Sequence, residues 1–308
     1  MISFPRIRGL VAAAFTPMNE DGSLHLDRIP HVVDHLIRDG LAAIYVLGST
    51  GEGPLLTGEE RKRVAEAYVR SAKDRIPVII QVGHNSIVEA RELAEHCALI
   101  GADAISATAP SYFKPETVED LVVSMQEIAE GAPQTPFYYY HVPLMTGVDI
   151  CMETFLKQSQ EQIPTMNGIK FSSIMTDEMM YCIKACEGRY DILFGSDEHL
   201  INGMVCGAEG AIGSTYNYAS PIYRGVWDGL ASGDLEKARA CQWKALEMIR
   251  ILKDYPLRHS LKLMMKFVGV DCGPCRRPIR LMSTQQEDEM KRRLDEIGFF
   301  EWGRKGLS

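Results

Sequence analysis

The sequence has no surplus of positive charge. Its 33 lysines and arginines face 41 aspartates and glutamates, a formal net charge of −8. Non-specific nucleic-acid binding needs a basic footprint, and anionic membrane surfaces attract basic segments, so neither partner is expected. Long apolar runs are also missing. None approaches the ~18 residues needed to span a bilayer. Arg6 and Arg8 ahead of the apolar stretch 9–15 imitate a short signal peptide. That stretch is minimal and runs into Thr16-Pro17, so it reads as a first buried strand. Cysteine is scarce. Eight in 308 residues are too few for a disulfide scaffold, and a reduced, cytoplasmic enzyme is the expectation. There is no linker, low-complexity tract or charge block.

What remains is ordinary globular composition, 46% hydrophobic and 24% charged. The length suits two average domains, or one α/β barrel of roughly 250 residues with about 60 to spare. Short apolar runs occur at 9–15, 42–48, 77–83, 102–109, 136–142, 166–173, 192–196 and 210–215. Amphipathic helical patterns lie between them, for example at 57–74, 86–100, 117–131 and 176–187. Continuously apolar strands alternating with helices predict a parallel sheet buried on both faces. Eight units predict a (βα)8 TIM barrel, with a doubly wound sheet as the alternative. A repeated helix-stop, turn and strand entry supports the barrel: Gly40, Gly101 and Gly207 each precede a run opening with Ala or Leu-Ala. From Asp234 the pattern is helical with no strand signal. The expected division is a barrel over 1–232 and a C-terminal helical extension over 233–308.

In such a barrel the chemistry sits where strands end. The second run ends in Gly48-Ser49-Thr50-Gly51-Glu52-Gly53. This is neither a P-loop nor a dinucleotide fingerprint. It can present backbone N–H groups and two hydroxyls to a carboxylate, or it is a tight turn. Lys170 alone among the lysines interrupts an apolar strand run. A buried ammonium lowers its pKa, and a neutral lysine attacks carbonyls. The alternative is a lysine that snorkels out or pairs with a carboxylate. Tyr138 and Tyr140 share one strand face, and at most one is a candidate proton shuttle. Asp197 and Glu198 follow Gly195-Ser196 as helix caps or as acceptors for sugar hydroxyls, and Gly213-Ser214-Thr215 echoes the second run.

Three other groupings carry less. Cys272-Gly-Pro-Cys275 has redox spacing but lies in the helical tail, outside any strand–helix crossover. Cys182 and Cys186 do not complete a zinc-ribbon pattern with it. His31 and His35 read as a surface pair, without the glutamate of a zincin. No metal site is expected.

Together, Gly48-Ser-Thr-Gly-Glu52, Tyr140-x-x-Pro143, Gly168-Ile-Lys170 and Gly213-Ser-Thr-Tyr216 resemble the N-acetylneuraminate lyase and dihydrodipicolinate synthase superfamily of pyruvate aldolases over nearly the whole chain. The resemblance implies that Lys170 forms a Schiff base with the pyruvyl part, that Tyr140 transfers the proton, and that Ser49 and Thr50 bind the carboxylate and orient Tyr140. Synthase-type members carry an arginine at the position of Met145, which grips a second substrate's carboxylate; a thioether cannot. Ser172, Gly195, Asp197, Glu198 and Ser214 are similar to a polyol-binding set. The implied reaction is reversible aldol cleavage of N-acetylneuraminate to N-acetylmannosamine and pyruvate. The iminium is the electron sink, so no metal or cofactor is implied. The family also implies a homotetramer, with Tyr112 reaching a neighbouring subunit's site and Ser111 standing where a first aromatic residue usually lies. Other readings are another pyruvate or keto-deoxy sugar acid aldolase, or a barrel that only binds a keto acid.

Overall fold

The computed structural model describes residues 4–305. The strands are β1 (Gly9–Ala13), β2 (Ala43–Val46), β3 (Val78–Gln81), β4 (Ala104–Ala107), β5 (Phe137–His141), β6 (Met166–Phe171), β7 (Asp191–Phe194) and β8 (Gly210–Gly213). Each pairs in parallel with the next, and β8 returns to β1, closing a barrel. Around it run α1 (Ile29–Arg38), α2 (Gly58–Ala72), α3 (Ile87–Leu99), α4 (Val118–Ala129), the single turn α5 (Pro143–Thr146), α6 (Met152–Gln162), α7 (Thr176–Lys184), α8 (Leu200–Val205) and α9 (Tyr216–Ser232). Four helices follow: α10 (Leu235–Lys253), α11 (Leu257–Phe267), α12 (Thr284–Glu296) and α13 (Phe299–Lys305). The fold is the expected TIM barrel with helices added at its C-terminal side.

Local chemistry sets the helix starts. Thr57 and Glu60 form a reciprocal capping box on α2, and Thr117 and Asp120 do the same on α4. Ser86 caps α3 through the Glu89 amide. The strands are buried on both faces, which is why their sequences run apolar rather than alternating. They separate two cores. An outer core fills the space between sheet and helices. An inner core runs along the axis and includes Val11, Ala13, Ala43, Tyr45, Tyr138, Tyr140 and Leu193. Alternation places Tyr139 on the outer side, 4.9 Å from Phe155 between ring centroids, and Tyr138 and Tyr140 inside.

The lower end of the axis is plugged. The β5–β6 register slips at Phe137/Tyr138, and the Asn167 amide reaches the Tyr138 hydroxyl at 2.7 Å. Tyr138 donates to Asp191 at 2.9 Å, and the Ile7 amide donates to the same oxygen. Burial pushes the Asp191 carboxyl up to about 6. The upper end stays open, with the C-terminal helices beside it.

One ion pair fastens that tail to the barrel. Lys262 of α11 donates to Glu52 at 2.8 Å and to the Pro274 carbonyl at 2.7 Å, and the Arg276 amide donates to the other Glu52 oxygen at 2.7 Å. Both side chains are almost fully enclosed, at 0% and 3% exposure. Arg276 adds a two-pronged grip on Glu60, 2.7 Å at each oxygen. His35 departs from the surface pair expected of it. His31 is exposed, but His35 is buried with Nε2 2.7 Å from the Asn217 carbonyl, because the α9 segment covers that face of α1.

Breaking the Lys262–Glu52 pair leaves one charge buried without compensation. Lys262→Met is expected to destabilise the fold by about 3–5 kcal/mol, and Glu52→Gln combined with Lys262→Met to recover most of that loss. Urea unfolding midpoints check this. A single variant within about 1 kcal/mol of wild type would mean that the pair is not the fastening described.

Candidate active site

Lys170 points from β6 onto the barrel axis, beside Tyr140 of β5 and Leu193 of β7. Its Nζ lies 3.9 Å from the ring centroids of both Tyr45 and Tyr140. The two rings are 5.7 Å apart and cross at 80°. Lys170 is 4% exposed, and among the described residues no carboxylate lies within ion-pair distance of it. Enclosing an ammonium costs several kcal/mol, whereas a desolvated cation–π contact returns about 2 kcal/mol. The cost prevails, and burial brings the Lys170 pKa below its ordinary value despite the neighbouring Tyr140 oxygen. Burial by itself would raise Tyr140. The Lys170 charge and hydrogen bonds to Ser49 and Lys170 outweigh it, and the phenol is lowered.

Gly48 makes this approach possible. A Cβ there would sit 2.7 Å from the Tyr45 ring and 4.0 Å from Lys170 Nζ. The following loop is tightly wound, with Leu47 and Glu52 both in the left-handed region at φ 64° and 57°. It turns Ser49 and Thr50 toward a cavity of about 370 Å³ and Glu52 away toward Lys262. The echoed loops meet there: Thr50 Oγ1 and Ser214 Oγ are 2.6 Å apart.

One wall of the cavity comes from the ends of β6, β7 and β8, with Ser172, Gly195, Asp197, Glu198 and Ser214. Gly195 is required because a Cβ would meet Ser172 Oγ at 2.1 Å. Asp197 accepts from the Thr215 amide at 2.8 Å and from its hydroxyl at 2.7 Å, and that hydroxyl lies 2.6 Å from Tyr223. Burial nevertheless raises Asp197 from its ordinary 3.8 to about 6. Glu198 pairs with Lys253 of α10 at 2.7 Å. For this carboxyl, burial is outweighed by the lysine, and its pKa is lowered.

The lining also includes the apolar side chains Val142, Leu144, Met145, Ile249 and Leu261, and the guanidinium of Arg258. Met145 carries no charge, but α11 brings the Arg258 guanidinium to 4.0 Å from its sulfur. The cavity therefore does have a guanidinium, supplied by the tail instead of the β5 loop.

Nine of the ten expected site residues line this cavity: Ser49, Thr50, Tyr140, Lys170, Ser172, Gly195, Asp197, Glu198 and Ser214. Tyr112 does not. It is 79% exposed and packs edge-on against Phe113, 5.0 Å between centroids, so the aromatic pair lies one residue later than expected. Three contributors were not singled out in the sequence. Tyr45 had no cue beyond lying in an inward-facing strand position. Arg258 and Lys262 sit on an amphipathic helix, where a basic residue ordinarily means a solvated face. Lys262 is as buried as Lys170 but is neutralised by Glu52, and so it is unsuited to attack a carbonyl.

A larger cleft of about 810 Å³ lies at the opposite end, between α2 and the start of β3. Its Arg70, Lys73, Arg75 and Asp103 are exposed, and it brings no enclosed reactive group together. Cys272 and Cys275 follow α11 in an irregular segment, and burial pushes both thiols up to about 12. Cys182 lies elsewhere, on α7. Among the described residues no cluster of three or more His, Cys, Asp or Glu is placed to hold a metal ion.

Residues 6–297 match the dihydrodipicolinate synthetase family. The chain is 39% identical over 297 residues to N-acetylneuraminate lyase of Gallus gallus, covering 95% of this chain and 96% of that one. It is 37% identical over 305 residues to the Homo sapiens N-acetylneuraminate lyase, covering 97% and 95%. Among solved structures, the Proteus mirabilis N-acetylneuraminate lyase superposes with a TM-score of 0.93 at 38% identity, covering 96% of this chain and 100% of that one. The sialic acid aldolase of Aliivibrio salmonicida superposes with a TM-score of 0.94 at 35% identity, covering 98% and 100%.

Thiol labelling separates a reactive Cys272–Cys275 pair from a buried one. Cys151 is exposed and should react first with a thiol reagent in the native protein. Cys272 and Cys275 should label only on unfolding. Fast labelling of either, read by peptide mass spectrometry, would mark a reactive pair.

Proposed function

The chain belongs to the dihydrodipicolinate synthetase family, and from that premise we propose that it is an N-acetylneuraminate lyase, a class I aldolase that cleaves N-acetylneuraminate reversibly to N-acetylmannosamine and pyruvate. One observation carries the reading. An enclosed amine without a carboxylate partner, Lys170, lies against Tyr140 at the open end of the barrel, in the same cavity as Asp197 and Glu198. The lyase relatives of similar length support the substrate assignment.

In this mechanism the neutral Lys170 amine attacks the keto carbon of the open-chain substrate. Water leaves and an iminium forms. Tyr140 takes the proton from the hydroxyl on the carbon two bonds further along, that hydroxyl carbon becomes the aldehyde of N-acetylmannosamine, and the electrons of the broken C–C bond pass into the iminium as an enamine. The enamine carbon regains a proton, and water releases pyruvate and restores the amine. Ser49 and Thr50 hold the pyruvyl carboxylate, and the Ser49 hydroxyl keeps the Tyr140 oxygen aimed at Lys170. Ser172, Asp197, Glu198 and Ser214 take the hydroxyls of the sugar part, since carboxylates accept strongly from such donors.

Two further assignments belong to this reading. Tyr112, Phe113, Leu144 and Ile174 are exposed apolar side chains following β4, β5 and β6, and they support association with further copies, as a tetramer in which Tyr112 meets a neighbour's site. The eight free cysteines support a cytoplasmic setting. No helix among the described residues is long and apolar enough to cross a membrane.

Borohydride reduction in the presence of pyruvate should add one reduced pyruvyl group at Lys170, located by peptide mass spectrometry. Label on Lys262 or on no lysine would overturn the mechanism. Efficient condensation of pyruvate with aspartate semialdehyde, in place of N-acetylmannosamine, would move the assignment to another aldolase.

A second prediction concerns pH. The folded Asp197 carboxyl is raised to about 6, so it keeps its proton where an ordinary aspartic acid has lost it. Its contribution to stability is present at low pH and is lost as pH rises through about 6; its acceptor charge toward the sugar appears over the same rise. Cleavage kcat/KM should therefore climb through this window, and Asp197→Asn should flatten the climb. An identical pH profile in the variant would remove Asp197 from the sugar site.

A further inference from the structure

We propose that Arg258 is a specificity-determining residue that reads the acyl carbonyl on the sugar half of the substrate. The proposal deepens the lyase reading and rests on it. The cavity lining suits two kinds of chemistry. The wall from β6, β7 and β8 offers carboxylates and hydroxyls, which suit hydroxyl donors. The lining also carries the aliphatic or thioether side chains of Val142, Leu144, Met145, Ile249 and Leu261 and one guanidinium, that of Arg258, 4.0 Å from the Met145 sulfur. A guanidinium beside an apolar side chain matches a ligand group with a methyl and a single strong acceptor, which describes an acetamido substituent.

Arg258 is unengaged by other charges. It is partly buried, no carboxylate lies within ion-pair distance among the described residues, and its guanidinium lies 4.0 Å from the Met145 sulfur. A guanidinium tolerates such partial burial because it is weakly hydrated, and it has five donors to offer. It is also held in place. The Cys275 thiol donates to the Arg258 carbonyl, and one turn further along α11 Lys262 is locked to Glu52. The proposed mechanism already gives the pyruvyl carboxylate to Ser49 and Thr50. Arg258 is near enough for its charge to lower both Lys170 and Tyr140.

The test compares two aldehydes that differ in the acyl group. Pyruvate is condensed with N-acetylmannosamine and with mannose by wild type, Arg258→Leu and Arg258→Lys, and kcat/KM is measured for each sugar. Trapping of pyruvate on Lys170 reports that each variant has an intact site. We expect the preference for the N-acetyl sugar to fall about tenfold in Arg258→Leu, ~1.4 kcal/mol of discrimination, and by less in Arg258→Lys. A ratio equal to wild type in Arg258→Leu overturns the proposal. So does a raised pyruvate KM with the ratio preserved, which would give the guanidinium to the carboxylate instead. A wild type that condenses neither sugar overturns the lyase reading, and this proposal with it, before any variant is made.

Discussion

Among the described residues no carboxylate lies within ion-pair distance of the Lys170 amine. It is enclosed at the axis of a closed barrel, between two tyrosine rings, and the cost of holding a charge there exceeds what the rings return. The rest of the site follows from that constraint. The amine is lowered toward its neutral, nucleophilic form, and the adjacent Tyr140 oxygen is hydrogen-bonded to it. Gly48 is needed because a side chain there would displace Tyr45. The acidic groups of the cavity, Asp197 and Glu198, take their close contacts from Thr215 and Lys253.

Lys262 shows the contrast. It is equally enclosed, yet it donates to Glu52 at 2.8 Å and to the Pro274 carbonyl at 2.7 Å. One buried lysine is a fastening and the other is a reactive group, and the difference lies in the partner. The two are linked through the chain. Glu52 ends the loop that carries Ser49 and Thr50, and Lys262 lies on the helix that carries Arg258 and Leu261 into the cavity. The C-terminal helices are thus part of the site, supplying Ile249, Leu261 and Arg258 to the cavity.

Much of this was legible in the sequence, for physical reasons. Eight apolar runs between amphipathic stretches signal a buried parallel sheet, and period-two alternation separates Tyr139 from Tyr138 and Tyr140 without coordinates. A lysine inside such a run must be buried, so Lys170 stands out. The same logic fails on helices, where a basic residue in an amphipathic pattern is solvated by default. Lys262 and Arg258 are exceptions created by long-range packing of α11 against the loop at Glu52. His35 is the same case, buried by the α9 segment remote in sequence. The one-turn α5 is too short to leave a periodic signal. Met145 is visible in the sequence as a residue without a charge, but nothing local signals that α11 brings Arg258 to 4.0 Å from its sulfur.

The central claim is that Lys170 is reactive because burial lowers its pKa in the absence of a paired anion. The pH dependence of the rate of imine formation with pyruvate tests it most directly. The account predicts a rate that rises with pH and levels off below the ordinary lysine value of about 10.4. A rate that tracks an unshifted lysine up to that value would contradict it.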